Sequence, residues 1–153
     1  MVSKKTKYAL KALMYLANEQ REGSVRVEDL AQDENIPRKF LEVILLTLRN
    51  HGMLQSKKGK GGGYQLGRPP GAISIGEVVR IFDGPLAPVP CASETAYRKC
   101  DECSDENTCG IRIVMKEVRD SIAAILDGTT LADLVKRVEE AKSKATGSLF
   151  YYI

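Results

Sequence analysis

Apolar positions crowd the start of the chain: Tyr8, Leu10, Ala12, Leu13, Met14, Tyr15, Leu16 and Ala17 surround one interrupting cation, Lys11. Leu10, Leu13, Met14 and Ala17 repeat at three to four residues, which predicts a helix over 3–18 that is nearly enclosed by protein. Arg21-Glu22-Gly23-Ser24 reads as a turn. Val27, Leu30 and Ala31 then predict a short helix ending near Asn35. Pro37 fits the first turn of a third helix, where its missing N–H costs nothing. That helix carries an apolar stripe of Phe40, Leu41, Ile44, Leu45 and Leu48, with Arg38, Lys39, Glu42 and Arg49 off the stripe. Asn50-His51-Gly52 supplies its stop. Two helices with only Asn35-Ile36 between them read as a helix-turn-helix.

Next come Met53 to Lys58, the run Gly59-Lys60-Gly61-Gly62-Gly63, and Tyr64-Gln65-Leu66, a pattern that predicts a hairpin with a glycine-rich tip. Ser74-Ile75-Gly76-Glu77 has the form of a capping box, each side chain satisfying the other's free N–H. It opens a helix through Val78, Val79, Ile81 and Phe82 that stops at Asp83-Gly84-Pro85. Residues 85–108 lack periodicity. A long helix follows, with Ile111, Val114, Met115, Val118, Ile122, Ile125 and Leu126 at three-to-four spacing and a stop at Asp127-Gly128. Thr130 and Asp133 resemble a second capping box, before a last helix carrying Leu131, Leu134, Val135 and Val138. The tail Leu149-Phe150-Tyr151-Tyr152-Ile153 is unusually apolar for a terminus.

The expected fold is mainly α with a small β-hairpin. Its parts are a winged helix-turn-helix over 1–70, a connecting helix and linker over 71–90, a cysteine-rich loop over 91–109, and two helices with a tail over 110–153. No apolar run approaches the ~20 residues of a membrane span. The basic start, Met1 to Lys5, lacks a following uninterrupted apolar segment and cleavage site, so the chain reads as cytoplasmic.

Charge sharpens the picture. Net charge is +3, but residues 1–70 hold 13 Lys and Arg against 7 Asp and Glu, while residues 71–153 hold 10 against 13. Between Arg38 and Lys60 there are six cations and a single anion, Glu42. A basic half suggests a polyanion partner, and a solvated basic face is the plainer alternative. In a winged helix the third helix enters the major groove and its N-terminal residues meet base edges. Arg38 and Lys39 lie on that first turn; an arginine pairs bidentately with guanine and Glu42 can accept from the cytosine amino group, or serve as an ordinary surface charge. Lys57, Lys58 and Lys60 on the wing would meet phosphate or a narrow minor groove, with Gly61, Gly62 and Tyr64 beside them. The glycine run matches neither phosphate-binding loop pattern; Tyr64 stands where the dinucleotide fingerprint needs its last glycine.

Four cysteines, Cys91, Cys100, Cys103 and Cys109, fall in one polar segment. Three chemistries compete: an iron–sulfur cluster, structural zinc, or a bare thiol switch. Glu94, Asp101, Glu102, Asp105 and Glu106 against Arg98 and Lys99 leave this loop at net −3, and Cys109 is expected at a helix N-terminus that favours thiolate. An enzyme would need a base beside a cysteine nucleophile, and the lone histidine, His51, lies far away in sequence. No paired acid–base constellation is evident.

The runs Leu48-Arg49-Asn50-His51-Gly52-Met53-Leu54, Gly59-Lys60-Gly61-Gly62-Gly63-Tyr64 and Ile75-Gly76-Glu77-Val78-Val79, with the opening Tyr8-Ala9-Leu10, resemble the bacterial regulators of the IscR/NsrR/CymR type over residues 1–138. These regulators of iron–sulfur, nitric-oxide and cysteine metabolism share a winged-helix fold. The resemblance implies a transcription repressor or activator, homodimeric on a palindromic double-stranded operator, with its recognition helix over 37–50 and Glu42 at a base-discriminating position. It also implies that the long helix crosses its twofold mate through Ile111, Val114, Met115, Val118, Ile122 and Ile125, with Ile122 near the middle.

Cluster-binding members carry three cysteines in this place, the last at the start of the long helix. The interval from Cys103 to Cys109 matches their last one, Cys91 matches the first, and Cys100 is extra. The family's ligating histidine position holds Arg112, and its alternative carboxylate position on the first helix holds Lys7, which leaves the fourth ligand to Cys100. The resemblance thus favours an iron–sulfur cluster on all four cysteines, [2Fe–2S] ahead of [4Fe–4S], with zinc less favoured. A metal-free regulator controlled by a thiol switch or a partner protein is the alternative. With the loop anchored only at its C-terminal end, cluster loss is expected to disorder residues 90–108.

Overall fold

The structure, a computed structural model, describes residues 2–18 and 23–151. Helix α1 (Lys4–Leu16) starts at Ser3, whose hydroxyl accepts from the Thr6 amide at 3.2 Å. This N-cap is itself held from outside: the Asp83 carboxylate accepts from the Ser3 amide at 2.9 Å and from the Thr6 hydroxyl at 2.8 Å. Helix α2 (Val27–Glu34) ends because Asn35 turns left-handed at φ 52°. That turn drops the buried Ile36 under the helix, its amide donating to the Ala31 carbonyl at 2.9 Å. Pro37 then caps α3 (Arg38–Asn50), one position earlier than expected, since the helix proper begins at Arg38. Glu19 to Glu22 lie outside the described residues, and with them half of the turn expected at Arg21-Glu22-Gly23-Ser24.

The hairpin pairs β1 (Leu54–Lys57) with β2 (Gly63–Leu66) antiparallel, Leu54 opposite Leu66 and Lys57 opposite Gly63. A third segment joins it. Val25, just before α2, exchanges two backbone hydrogen bonds of 2.8 Å with Tyr64. Gly63 makes that approach feasible: its φ is +152°, and a Cβ there would stand 2.2 Å from the Val25 carbonyl oxygen.

Helix α4 (Ile75–Asp83) is capped by the Ser74 hydroxyl, which accepts from the Glu77 amide at 3.1 Å. The expected reciprocal box is not what occupies Glu77: its carboxylate pairs with Arg68 at 2.8 Å. After the irregular segment comes α5 (Gly110–Gly128), then α6 (Leu131–Tyr151). The box at the start of α6 is fully reciprocal, Thr130 amide to Asp133 carboxylate at 2.9 Å and Asp133 amide to Thr130 hydroxyl at 3.1 Å. Leu149 to Tyr151 of the apolar tail continue α6, and Tyr152 and Ile153 lie outside the described residues.

One core joins both ends of the chain. Ala9, Ala12 and Leu13 of α1, Leu41, Ile44, Leu45 and Leu48 of α3, Met53, Ile73, Val78 of α4 and Leu131 of α6 are each fully buried. Each large side chain so buried contributes about 1.5–3 kcal/mol. A short ladder draws α6 in: the Ile75 amide donates to the Thr129 carbonyl at 2.9 Å and the Leu131 amide to the Ile73 carbonyl at 2.8 Å. Phe40 departs from the expected core stripe. It is 50% exposed, because the inward arc of α3 is already filled by Leu41, Ile44, Leu45 and Leu48. Among the described residues no helix is long and apolar enough to cross a membrane.

Candidate nucleic-acid interface and cysteine segment

The face of α3 turned away from the core is exposed along its length, and Arg38, Lys39 and Glu42 all lie on it. The first and last of these hold each other. Arg38 pairs with Glu42 at 2.9 Å and with Glu28 of α2 at 2.8 Å, so the guanidinium bridges both helices of the helix-turn-helix. All three side chains are about half exposed, so each pair is worth only ~0–1 kcal/mol and is easily exchanged for another anion. The sequence pattern did not single out Glu28, whose partner is ten residues away in the next helix.

The wing is fixed to this helix. Arg49 donates to the Ser56 hydroxyl of β1 at 3.2 Å, and the Met53 amide donates to the Leu48 carbonyl at 3.0 Å. Lys57, Lys58, Lys60 and Gly61 are exposed. Gly62 closes the wing turn, its amide donating to the Gly59 carbonyl at 2.9 Å. The half-buried Tyr64 packs against the core, and its backbone ties the wing to Val25.

Of the four cysteines, the structure brings Cys103 and Cys109 together. Cys109 is the N-cap of α5. The backbone N–H groups of Arg112 first, and of Ile111, point at its sulfur and hold its thiol below the usual range, with the Cys103 thiol and the Arg112 charge assisting. Burial pushes the Cys103 thiol up, and the adjacent Cys109 adds to the rise. Cys100 is exposed one turn away, its carbonyl accepting from the Cys103 amide at 3.3 Å, and Cys91 is half-buried. Among the described residues no three Cys, His, Asp or Glu are gathered closely enough to hold a metal ion. Lys7 is exposed on α1, and His51 sits at the end of α3, its ring hydrogen-bonded to the Thr47 carbonyl at 2.9 Å.

The segment is anchored at both ends, which corrects the expectation of a loop held only at Cys109. Arg112 donates to the Cys91 carbonyl at 2.9 Å, and Arg119, only 12% exposed, donates to the Ala92 carbonyl and pairs with Glu94 at 3.3 Å. Ala92 and Ser93 are buried as a result. Arg112 thus ties the first cysteine, through that residue's backbone, to the long helix. Within the segment, the Tyr97 hydroxyl donates to the Glu106 carboxylate, which raises the Tyr97 pKa.

Helix α5 buries no residue completely. Ile111, Val114, Val118 and Ile125 are 70, 50, 38 and 65% exposed along one side of the helix, with Met115 and Ile122 half-buried beside them. The end of the helix is clasped to α4 by Arg80 and Asp127 at 2.6 Å. Gly76 makes room for that clasp, since a Cβ there would stand 1.9 Å from the Asp127 carboxylate.

Residues 2–137 match the family model of Rrf2, an iron-dependent transcriptional regulator. An rrf2-like HTH-type transcriptional regulator of Rhodobacter capsulatus is 46% identical over 138 residues, covering 88% of this chain and 92% of the relative. The solved structure of CymR, the global cysteine regulator of B. subtilis, superposes with a TM-score of 0.74 at 32% identity, over 90% of this chain and 97% of that one. IscR of T. potens superposes with a TM-score of 0.72 at 30% identity, over 92% and 90%. These relatives are transcription regulators, not enzymes. With its helix-turn-helix, wing and long C-terminal helices, the chain belongs to the Rrf2 family of HTH-type transcriptional regulators.

Proposed function

We propose that this regulator acts as a homodimer on an inverted-repeat operator, with α3 in the major groove, the wing on the phosphates, and an iron–sulfur cluster held by its cysteine segment. The observation that carries the reading is the exposed outer face of α3 joined by hydrogen bonds to a lysine-bearing wing. Arg38 leaves Glu28 and Glu42 for a guanine, Glu42 is freed to meet a cytosine amino group, and Lys57, Lys58 and Lys60 neutralise phosphates. The row Ile111, Val114, Val118 and Ile125 supports pairing of two copies, whose recognition helices would then meet half-sites about one helical turn of DNA, or a multiple, apart.

The donor set fits a thiolate-bound group in part. Cys103 and Cys109 are adjacent, and Cys109 favours the thiolate that such a group requires. Cys91 and Cys100 would be the remaining ligands, carried on the segment between Arg112's anchor and α5, and would have to draw in toward Cys103 and Cys109. A bound cluster, [2Fe–2S] or alternatively [4Fe–4S], supplies redox- and ligand-sensitive chemistry there. Arg112 and Arg119 join that segment to the helix proposed to pair, so a change at the cysteines has a path to the spacing of the two winged helices. A metal-free thiol switch is the second reading. It is favoured by the Cys103–Cys109 contact, which needs no metal, and by the likeness to a cysteine regulator.

The test is anaerobic purification, visible absorption, and iron and zinc analysis, with operator selection before and after cluster removal. Iron with sulfide in each protomer, lost on serine replacement of Cys103 or Cys109, supports the cluster. Zinc alone after anaerobic reconstitution overturns it. Operator affinity should fall by orders of magnitude between ~50 and ~200 mM salt. Salt-independent binding overturns the DNA reading.

A further inference from the structure

Three large apolar side chains stand on the outside of α3: Phe40 is 50% exposed, Val43 56% and Leu46 45%. They follow one another at three-residue spacing, and Val43 lies opposite the buried stripe of Leu41, Ile44, Leu45 and Leu48. Folding therefore leaves them uncovered, and none of them serves the core. Apart from Glu42, which pairs with Arg38, their surroundings are cationic: Lys39 is one turn before Val43, Arg49 is further along the helix, and the wing carries Lys57, Lys58 and Lys60. A surface that combines an apolar row with this charge is poorly matched to another basic protein face. It is matched to the major groove, which carries one apolar group on its floor, the C5 methyl of thymine, between walls of phosphate.

We propose that Val43, flanked by Phe40 and Leu46, reads thymine methyl groups in each operator half-site. The inference rests on α3 being the recognition helix and adds to it a hydrophobic readout separate from the polar contacts of Arg38 and Glu42. Helical spacing makes the two compatible. Glu42 and Val43 are adjacent positions about a quarter turn apart, so one faces an amino group while the other faces a methyl on a neighbouring base pair.

The experiment begins with an operator obtained by binding-site selection on the full chain. Each thymine of a half-site is then replaced in turn by uracil, which deletes the methyl and keeps every hydrogen-bonding group. Wild-type protein should lose about fourfold in affinity at one or two positions per half-site, the value of one buried methyl. V43A should bind thymine and uracil equally at one of those positions, while its salt dependence and light-scattering mass match wild type. Uniform affinity across the uracil series, in a protein that does bind its operator, overturns the methyl readout and leaves the recognition-helix assignment standing. Failure to bind any DNA overturns both. A change in solution mass for V43A would make the patch a protein contact and overturn the proposal.

Discussion

Gly63→Ala tests how the wing is held. At φ +152° an L side chain is strained by about 1–3 kcal/mol. The added Cβ would also lie 2.2 Å from the Val25 carbonyl oxygen and 3.0 Å from the Arg26 nitrogen, both backbone atoms that no side-chain rotation can clear. Relief requires Val25 and Tyr64 to part, which removes two hydrogen bonds of 2.8 Å, at roughly 0.5–1.5 kcal/mol each. The expected loss is therefore about 2–6 kcal/mol, most of it confined to the wing, because Leu41, Ile44, Leu45 and Leu48 do not depend on the bridge. Urea unfolding gives the global part, and hydrogen exchange at the Val25 and Tyr64 amides gives the local part. Gly71→Ala is the control, since a Cβ there meets nothing within 4 Å and should change stability by less than ~0.5 kcal/mol. DNA affinity should fall with the wing even where the fold survives. Undiminished protection of both amides in Gly63→Ala, with stability within ~0.5 kcal/mol of wild type, would refute the argument.

Other consequences are equally direct. Val118→Asp places a carboxylate in the proposed helix-pairing row, where burial without a partner costs several kcal/mol, while a single chain leaves the side chain 38% exposed. Light scattering should report monomers with an unchanged helical spectrum, and a dimeric mass would move the interface elsewhere. Glu28→Gln removes one of Arg38's two anchors and a negative charge from the outer surface, so operator affinity should rise by up to about fivefold with little change in melting. Unchanged affinity would show that Arg38 does not leave its ion pairs to bind. Burial raises the Asp83 pKa, but the hydrogen bonds from Ser3 and Thr6 outweigh it and hold the carboxyl below its ordinary value. Its contribution is present above the unfolded-state value of about 4 and lost as pH falls through the lower folded-state value. Asp83→Asn should be less stable than wild type at pH 7, with the gap closing below about pH 4. A gap that stays constant across that range would exclude the linkage.

Features fixed by neighbours in sequence were legible from the residues alone. The three-to-four spacing of Leu41, Ile44, Leu45 and Leu48 places them on one arc of any α-helix, whatever packs there. Ser74 and the pair Thr130 and Asp133 act within one turn of backbone, so their capping roles follow from local chemistry. Cys109 sits where the start of the long helix was expected, with the depressed thiol that position implies. What the sequence left open is everything that depends on which surface arrives opposite. Phe40 shares the helical spacing of the core stripe, and only the placement of α1 and α2 decided that the core closes without it. Glu77 had a local partner in prospect and was taken by Arg68 nine residues away, because a charged fork outcompetes a single amide. The Val25–Tyr64 bridge, the Arg80–Asp127 clasp and the hold of Arg112 on the Cys91 carbonyl join positions 39, 47 and 21 residues apart. No periodicity encodes such pairings, since each forms only after several elements have packed and brought donor and acceptor within 3 Å.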